Sequence, residues 1–163
     1  MTKLSKNVYA VILAGGSGTR FWPKSRHLNP KQLCQIGPYE ESMIEVTLNR
    51  LDGLIPPERR MVVTHVAQME LTRKIVGDKA GMFISEPEAK NTANALALAT
   101  LEIEKHHKGD DTAVMISLHA DAVIHEVERF RDSIREAVAI AKEGSLALIG
   151  IKPKYPETGY GYI

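Results

Sequence analysis

A glycine-rich segment with nearby cations is the part of the sequence best suited to bind an anion. In the run LAGGSGTRFWP (13–23), three glycines can adopt positive φ and let backbone amides approach a ligand. The run is not a Walker P-loop, because no Gly-Lys-Ser/Thr follows, and it lacks the third glycine of GxGxxG. Arg20 and Lys31 could converge on one polyphosphate. The alternative is a tight connection with solvated cations.

Polar residues also follow two later apolar runs. Asp121 comes after the run 113–118, and a carboxylate at the carboxyl end of a sheet can hold Mg²⁺ that bridges phosphate oxygens. Asn91 and Thr92 stand at the predicted start of an alanine-rich helix, whose unpaired N–H groups and partial positive charge suit a nucleotide. A role as a helix cap is the alternative for Asn91, and both roles can coexist.

The elements that must position these residues alternate along the chain. Short β-branched runs predict strands at 8–13, 60–64, 82–85, 113–118 and 146–150, and apolar spacing predicts helices around 43–51, 66–76, 92–106 and 127–141. This alternation predicts an α/β fold with a parallel sheet covered by helices. Ligands in such sheets bind outside the carboxyl ends of strands, so the long connection 14–29 is the first candidate for the site.

Composition narrows the classes of protein. The chain has 163 residues, 44% of them hydrophobic and 25% charged, which is typical of a globular domain and not of a disordered one. A net charge of +1 gives no general attraction to nucleic acid or anionic lipid. The single cysteine, Cys34, is predicted in a short strand and indicates a reducing cytoplasm. No run approaches the roughly 20 apolar residues of a membrane span.

Four motifs, taken together and in order, resemble those of mannose-1-phosphate guanylyltransferases: GGSGTRFWPKSR with PKQ, EPEAKNTA, HADAVI and PETGYGYI. The resemblance covers nearly the whole chain. It implies a three-layer α/β sandwich with a mostly parallel, Rossmann-like sheet of the nucleotide-diphospho-sugar transferase type. It also implies Mg²⁺-dependent transfer of GMP from GTP to mannose 1-phosphate. A sugar phosphate is already an anion at neutral pH, so catalysis needs positioning and charge neutralisation and no general base.

The resemblance also implies roles for individual residues. Arg20 would stabilise charge at the α-phosphate and the leaving pyrophosphate, and Lys31 would neutralise the phosphates from the other side. Asp121 would be the Mg²⁺ ligand, and Tyr160 and Gly161 would border the sugar pocket. The nucleotide would be bound by the glycine-rich segment and the start of the alanine-rich helix: Leu13, Ala14, Gly15, Gly16, Ser17, Gly18, Thr19, Asn91 and Thr92.

One assignment to the base is our own hypothesis. Guanine presents adjacent N1 and N2 hydrogen-bond donors, so the carboxylate of Glu86 could bind it. Two positions depart from the family's pattern: Lys90 stands where members usually have arginine, and His119 begins HADA where many read PADH. Lysine keeps the positive charge and loses bidentate hydrogen bonding. The aspartate of HADA, Asp121, is kept.

Other functions stay open. These are another sugar-phosphate nucleotidylyltransferase, a noncatalytic nucleotide-binding fragment and a molybdopterin guanylyltransferase, although the last would not explain EPEAKNTA and PETGYGYI together. Family members continue into the rest of the sugar-binding region, a second metal carboxylate and a C-terminal domain. Residues 1–163 are therefore expected to be the nucleotide-binding part of a truncated nucleotidyltransferase domain, with little or no turnover alone. The sequence does not decide whether the protein forms a homodimer.

Overall fold

Four parallel strands form the sheet of the described part of the chain. The structure is a computed structural model that describes residues 4, 6–16, 25, 30–36, 40–88, 91–109, 111–153, 155–156, 158–159 and 161. The strands are β1 (Val8–Leu13), β2 (Arg60–His65), β3 (Met82–Glu86) and β4 (Val114–His119). Their order across the sheet is β3-β2-β1-β4. All three neighbouring pairs are parallel, as the alternating sequence predicts.

Helices connect the strands and cover both faces of the sheet. They are α1 (Met43–Asn49), α2 (Met69–Val76), α3 (Thr92–His106) and α4 (Val127–Lys142). Short 3-10 helices span Lys31–Leu33, Pro57–Arg59, Val66–Gln68 and Gly77–Lys79. Among the described residues no helix combines the length and the apolar character needed to cross a membrane.

Strand β1 divides the core into two halves because successive side chains point to opposite faces. Val8, Ala10 and Ile12 pack on one face against apolar side chains from the segments of α1, α2 and α4. Tyr9 and Val11 pack on the other face, where α3 contributes Ala95, Ala99 and Ile103. Burial of each large aliphatic side chain contributes about 1.5–3 kcal/mol to stability. The three layers confirm the predicted sandwich.

The strand order creates a crevice beside β1. β1 has β2 on one side, which the chain reaches next through α1, and β4 on the other side, which the chain reaches later through α3. The chain that leaves the carboxyl end of β1 therefore turns away from β4. At such a switch point no connection crosses over the carboxyl ends of the two neighbouring strands, and the crevice between them can bind a ligand. The crevice here lies between the segments that follow Leu13 and His119.

Two sequence predictions of strands are wrong. Residues 145–150 contain no strand, and Leu146 and Leu148 are 92% and 69% exposed. The apolar pattern indicates a segment able to enter a sheet, but a strand also needs a neighbour, and the described part of the chain supplies none for it. Cys34 is buried as expected, but it ends the 3-10 helix Lys31–Leu33 and does not lie in a strand.

Candidate functional site at the carboxyl edge of the sheet

An ion pair joins the two sides of the crevice. Lys31, at the start of its 3-10 helix, contacts the carboxylate of Asp121 with its ammonium group, and the side chains are 18% and 34% exposed. The backbone before Asp121 is tied to β1, because the Ala120 amide donates to the Leu13 carbonyl at 3.1 Å. Burial alone would raise the pKa of Asp121, but the hydrogen bond and charge of Lys31 outweigh it and lower that pKa. The carboxylate of Asp121 is therefore charged at neutral pH.

A second carboxylate lies against the glycine-rich segment. Glu86 ends β3 and is 7% exposed, and a Cβ placed on Gly15 would lie 2.8 Å from its Oε2 atom. The sequence suggested positive φ as the reason for glycines here, yet neither Gly15 nor Gly16 has one. The close approach of Glu86 explains the glycine at position 15. Burial raises the pKa of Glu86, and the charge of His65 on the neighbouring strand opposes this rise only in part.

A buried polar network, which the sequence analysis did not predict, fixes the start of the glycine-rich segment. The Gln32 amide donates to the Ala14 carbonyl at 2.5 Å and to the Gly16 carbonyl at 3.3 Å. Thr64 at the end of β2 donates to Ala14 at 3.3 Å, and the side chain of Gln68 lies 3.4 Å from Thr64. The PKQ motif, to which Gln32 belongs, was the one sequence signal for this network. Its partners, Ala14 and Gly16, could not be predicted because they are distant in sequence.

Backbone hydrogen bonds show which of the groups predicted to bind the nucleotide already have a partner in the protein. The Leu13 carbonyl is taken by Ala120, and the Ala14 amide donates to the Val63 carbonyl at 2.8 Å. Neither group is therefore available to a nucleotide without breaking the sheet. Within the described residues, the amides of Gly15 and Gly16 make no hydrogen bond. The amides suited to a phosphate are thus those of the two glycines, while Leu13 and Ala14 hold the segment in place.

The start of α3 differs from the predicted cap. Asn91 occupies the N-cap position with φ 75° and ψ 157°, and its side chain makes no capping hydrogen bond. A positive φ is uncommon for a residue other than glycine, although asparagine tolerates it better than most. Thr92 is exposed at the first helical position. The capping role of the Asn91 side chain is therefore wrong, and its amide points to no fixed partner among the described residues.

Of the remaining predicted site residues, the structure describes Gly161 alone. Gly161 is exposed, and a Cβ on it would meet no atom within 4 Å. No described neighbour therefore requires glycine there. Five predicted site residues lie outside the described residues: Ser17, Gly18, Thr19, Arg20 and Tyr160.

The residues present fit Mg²⁺ only together with a phosphate. Within the described ranges, no group of three or more His, Cys, Asp or Glu side chains could hold a metal ion by itself. Asp121 offers one carboxylate at the crevice, partly exposed and charged. Mg²⁺ commonly binds through one or two carboxylates, water and substrate phosphates, so a single aspartate is sufficient for a metal that arrives with a nucleotide.

The sequence and the fold of the chain are similar to those of known nucleotidyl transferases. The family model described as "Nucleotidyl transferase" matches residues 9–163. Two mannose-1-phosphate guanylyltransferases, from Salmonella typhimurium and Escherichia coli, are 42% and 41% identical over 96% and 94% of this chain. The chain covers 32% of each, and so spans about a third of the length of these curated relatives.

A solved structure shows the same fold. It is the crystal structure of a protein from Thermus thermophilus described as a mannose-1-phosphate geranyltransferase, with a TM-score of 0.75 and 31% sequence identity. The match covers 85% of this chain and 39% of that one. The resemblance inferred from the four motifs is confirmed, and the chain belongs to the nucleotidyl transferase family.

Proposed function

We propose that the carboxyl edge of the sheet binds GTP, and that the protein transfers GMP from GTP to mannose 1-phosphate. A phosphate oxygen of mannose 1-phosphate attacks the α-phosphorus of GTP, and the bond from that phosphorus to the bridging oxygen of the β-phosphate breaks. The products are GDP-mannose and pyrophosphate. The observation that carries this proposal is the ion pair of Lys31 and Asp121 at the switch point of a nucleotidyl transferase sheet. The names of the relatives suggest the substrates.

Charge neutralisation is the main task of the site, because an anionic sugar phosphate must approach an anionic triphosphate. The Lys31 ammonium is mostly buried, which strengthens its interaction with a phosphate relative to a lysine in open water. The free amides of Gly15 and Gly16 supply uncharged donors beside it. Arg20 is proposed to add a second cation from the glycine-rich segment.

Asp121 is the residue proposed to hold Mg²⁺. When bound, the ion would neutralise the phosphates and help to orient them for displacement. Asp121 and Lys31 already balance each other's charge, so the carboxylate can accept a cation while the ammonium turns to a phosphate oxygen. No deeply buried charge is left without a partner in this exchange, because both side chains reach solvent.

Glu86 is proposed to select guanine. Its carboxylate reaches Gly15 from the far side of β1 relative to Asp121, so phosphates near Asp121 and a base near Glu86 would place the nucleotide across the end of β1. Substitution of Glu86 by Gln should reduce the preference for GTP over ATP. An unchanged preference would refute this role.

We also propose that the 163-residue chain binds GTP but turns it over slowly, if at all. Two observations support this: the chain spans about a third of the length of its curated relatives, and Gly161 is exposed, with no described atom within 4 Å of a Cβ placed on it. The sugar side of the reaction would then depend on residues outside those described here.

The experiment measures GTP binding by calorimetry and pyrophosphate release with mannose 1-phosphate, for the wild type and for Arg20→Ala. Binding of Mg²⁺·GTP without release, weakened by the substitution, is the expected result. Tighter binding of ATP, UTP or dTTP would point to a different sugar-phosphate nucleotidylyltransferase. Rapid release would refute slow turnover and support the reaction itself. Failure of every nucleoside triphosphate to bind would overturn the proposal.

A further inference from the structure

The loop that carries Asp121 is held from a helix distant in sequence. The Arg50 Nη1 atom donates to the Ala122 carbonyl at 2.9 Å. The Thr47 hydroxyl lies 3.3 Å from the Ala120 carbonyl and 2.9 Å from the Met43 carbonyl of its own helix, and shares its one proton between them. The two alanine carbonyls belong to the residues on either side of Asp121. The Arg50 Nη1 atom also lies 3.4 Å from the Thr47 hydroxyl, so the two side chains form one hydrogen-bonded unit.

The end of α1 that carries this unit is itself anchored. Arg131 of α4 donates from Nε to the Arg50 carbonyl at 2.7 Å and from Nη2 to the Asp52 carbonyl at 3.0 Å. The last carbonyls of a helix have no partner within the helix, and a guanidinium satisfies several of them at once. Arg50 and Arg131 are 4% and 9% exposed. A buried guanidinium in each helix therefore connects α4 through α1 to the Asp121 loop.

We propose that Arg50 and Thr47 are positioning residues for the Asp121 carboxylate. The Ala122 carbonyl accepts from the Arg50 guanidinium, and the Ala120 carbonyl lies against the Thr47 hydroxyl, so the backbone at Asp121 cannot turn without losing contacts to the end of α1. The bond from a charged donor is the stronger of the two. This inference rests on the proposed function, because it takes Asp121 as the Mg²⁺ ligand.

The chain offers a matched control for each of the two residues. Thr72 of α2 is as buried as Thr47, and its hydroxyl has no hydrogen-bond partner among the described residues. Arg60 is as buried as Arg50 and bonds to the same end of α1, through the Leu48 carbonyl and the Asp52 carboxylate, and to the carbonyls of Ile55 and Lys79. Among the described residues it makes no bond to the Asp121 loop, so it controls for a loss of anchoring at α1. Valine in place of threonine keeps the shape and removes only the hydroxyl.

The test measures Mn²⁺ affinity by water proton relaxation on the chain saturated with GTP. Substitution of a residue that orients a metal ligand typically costs about 10–100-fold in metal affinity, so Thr47→Val and Arg50→Lys should weaken Mn²⁺ binding by about 10-fold or more. Thr72→Val and Arg60→Lys should leave it within about 2-fold. Amide hydrogen exchange at residues 120–122 should quicken only in the first two variants.

The outcomes separate this inference from the proposed function. If Asp121→Asn abolishes Mn²⁺ binding while Thr47→Val and Arg50→Lys leave it unchanged, the positioning role is wrong and the metal ligand stands. If Asp121→Asn itself binds Mn²⁺ normally, the metal role in the proposed function fails. Equal losses in Arg50→Lys and Arg60→Lys would show a general effect of destabilisation and would also overturn the positioning role.

Discussion

The two ends of the parallel sheet use polar groups differently. At the amino ends, Arg60 donates to three backbone carbonyls and to the exposed Asp52 carboxylate, and Asn7 donates to the Thr112 carbonyl at 2.7 Å. At the carboxyl ends, Lys31 and Asp121 bind each other, although both side chains reach solvent. Backbone partners cannot leave, whereas a side-chain partner can exchange for a ligand. The amino ends are therefore built for stability, and the carboxyl ends keep charges that a nucleotide can use.

Two lysines show the same contrast. Lys79 lies just before β3 and pairs with Glu41 at 3.1 Å. Burial alone would lower the pKa of Lys79, but its hydrogen bond and attraction to Glu41 outweigh that and raise it. Lys31 pairs with Asp121 at the opposite end of the sheet, where the amides of Gly15 and Gly16 make no hydrogen bond to any described residue. Lys79 has two carboxylates as partners, Glu41 and Glu45, whereas the carboxylate paired with Lys31 lies at the end of the sheet that also offers unbonded amides.

The largest expected effect is a loss of stability from the amino end. Arg60→Met removes the donor from the carbonyls of Ile55 and Lys79 and the ion-pair partner of the Asp52 carboxylate, whereas the Leu48 carbonyl still accepts from the Leu51 amide. Each buried group left unsatisfied costs about 1–3 kcal/mol. We expect the free energy of unfolding in urea to fall by about 3 kcal/mol or more. The GTP affinity of the folded fraction should stay unchanged. A large loss of affinity would contradict the division between the two ends.

The next effect belongs to the carboxyl end. Lys31→Ala should weaken GTP binding by about 10-fold, since a hydrogen bond to a charged group contributes about 1.5–3 kcal/mol. Stability should change by only about 1 kcal/mol, because both side chains of the pair reach solvent and the Asp121 carboxylate can be hydrated when Lys31 is removed. Isothermal calorimetry measures the affinity, and Lys79→Ala is the matched control. Equal losses in the two variants would show a general charge effect and no specific site.

A smaller effect separates the two glycines. Gly15→Ala would place Cβ 2.8 Å from the Glu86 carboxylate, whereas Gly16→Ala meets no described atom within 4 Å. Overpacking of this kind costs about 1 kcal/mol of unfolding free energy when the neighbour can move. A double substitution with Glu86→Ala should recover most of that loss. If Gly16→Ala destabilised the protein as much, the contact with Glu86 would not be the reason for Gly15.

The smallest effect is a pH dependence. Burial raises the pKa of Glu86 in the folded state, so its carboxyl favours folding below the unfolded pKa, and this contribution is lost as pH rises through the folded pKa. Glu86→Gln cannot ionise. Its stability relative to the wild type should therefore increase as pH rises above the ordinary glutamate range. Urea unfolding across that range measures the difference, and a difference independent of pH would contradict the raised pKa.

Local patterns were enough to predict most of the fold. The four observed strands match β-branched runs within a residue, and α3 has the predicted bounds. The failure at 146–150 has a physical cause: apolar alternation shows that a segment can join a sheet, but not whether a neighbouring strand is present. Strand formation depends on a partner, and a partner is not a local property.

The site was predicted less completely for a similar reason. The sequence indicated Lys31 and Asp121 separately. Their ion pair could not be predicted, because the fold brings together two segments that are far apart in sequence. Arg131 shares a helical face with Ile134 and Val138, and a cation on a buried face was the available signal for its role. Its partners at the end of α1 could not be read from that signal, because they are backbone carbonyls common to every sequence.

The most direct measurement is the ¹H–¹⁵N spectrum of the chain during titration with Mg²⁺·GTP. The account predicts shifts concentrated at the carboxyl ends of the strands, at Gly15, Gly16, Glu86 and Asp121. Amides at the amino ends, such as those of Asn7, Arg60 and Gly81, should not move. Shifts confined to the amino ends, or no shifts at saturating Mg²⁺·GTP, would contradict the account.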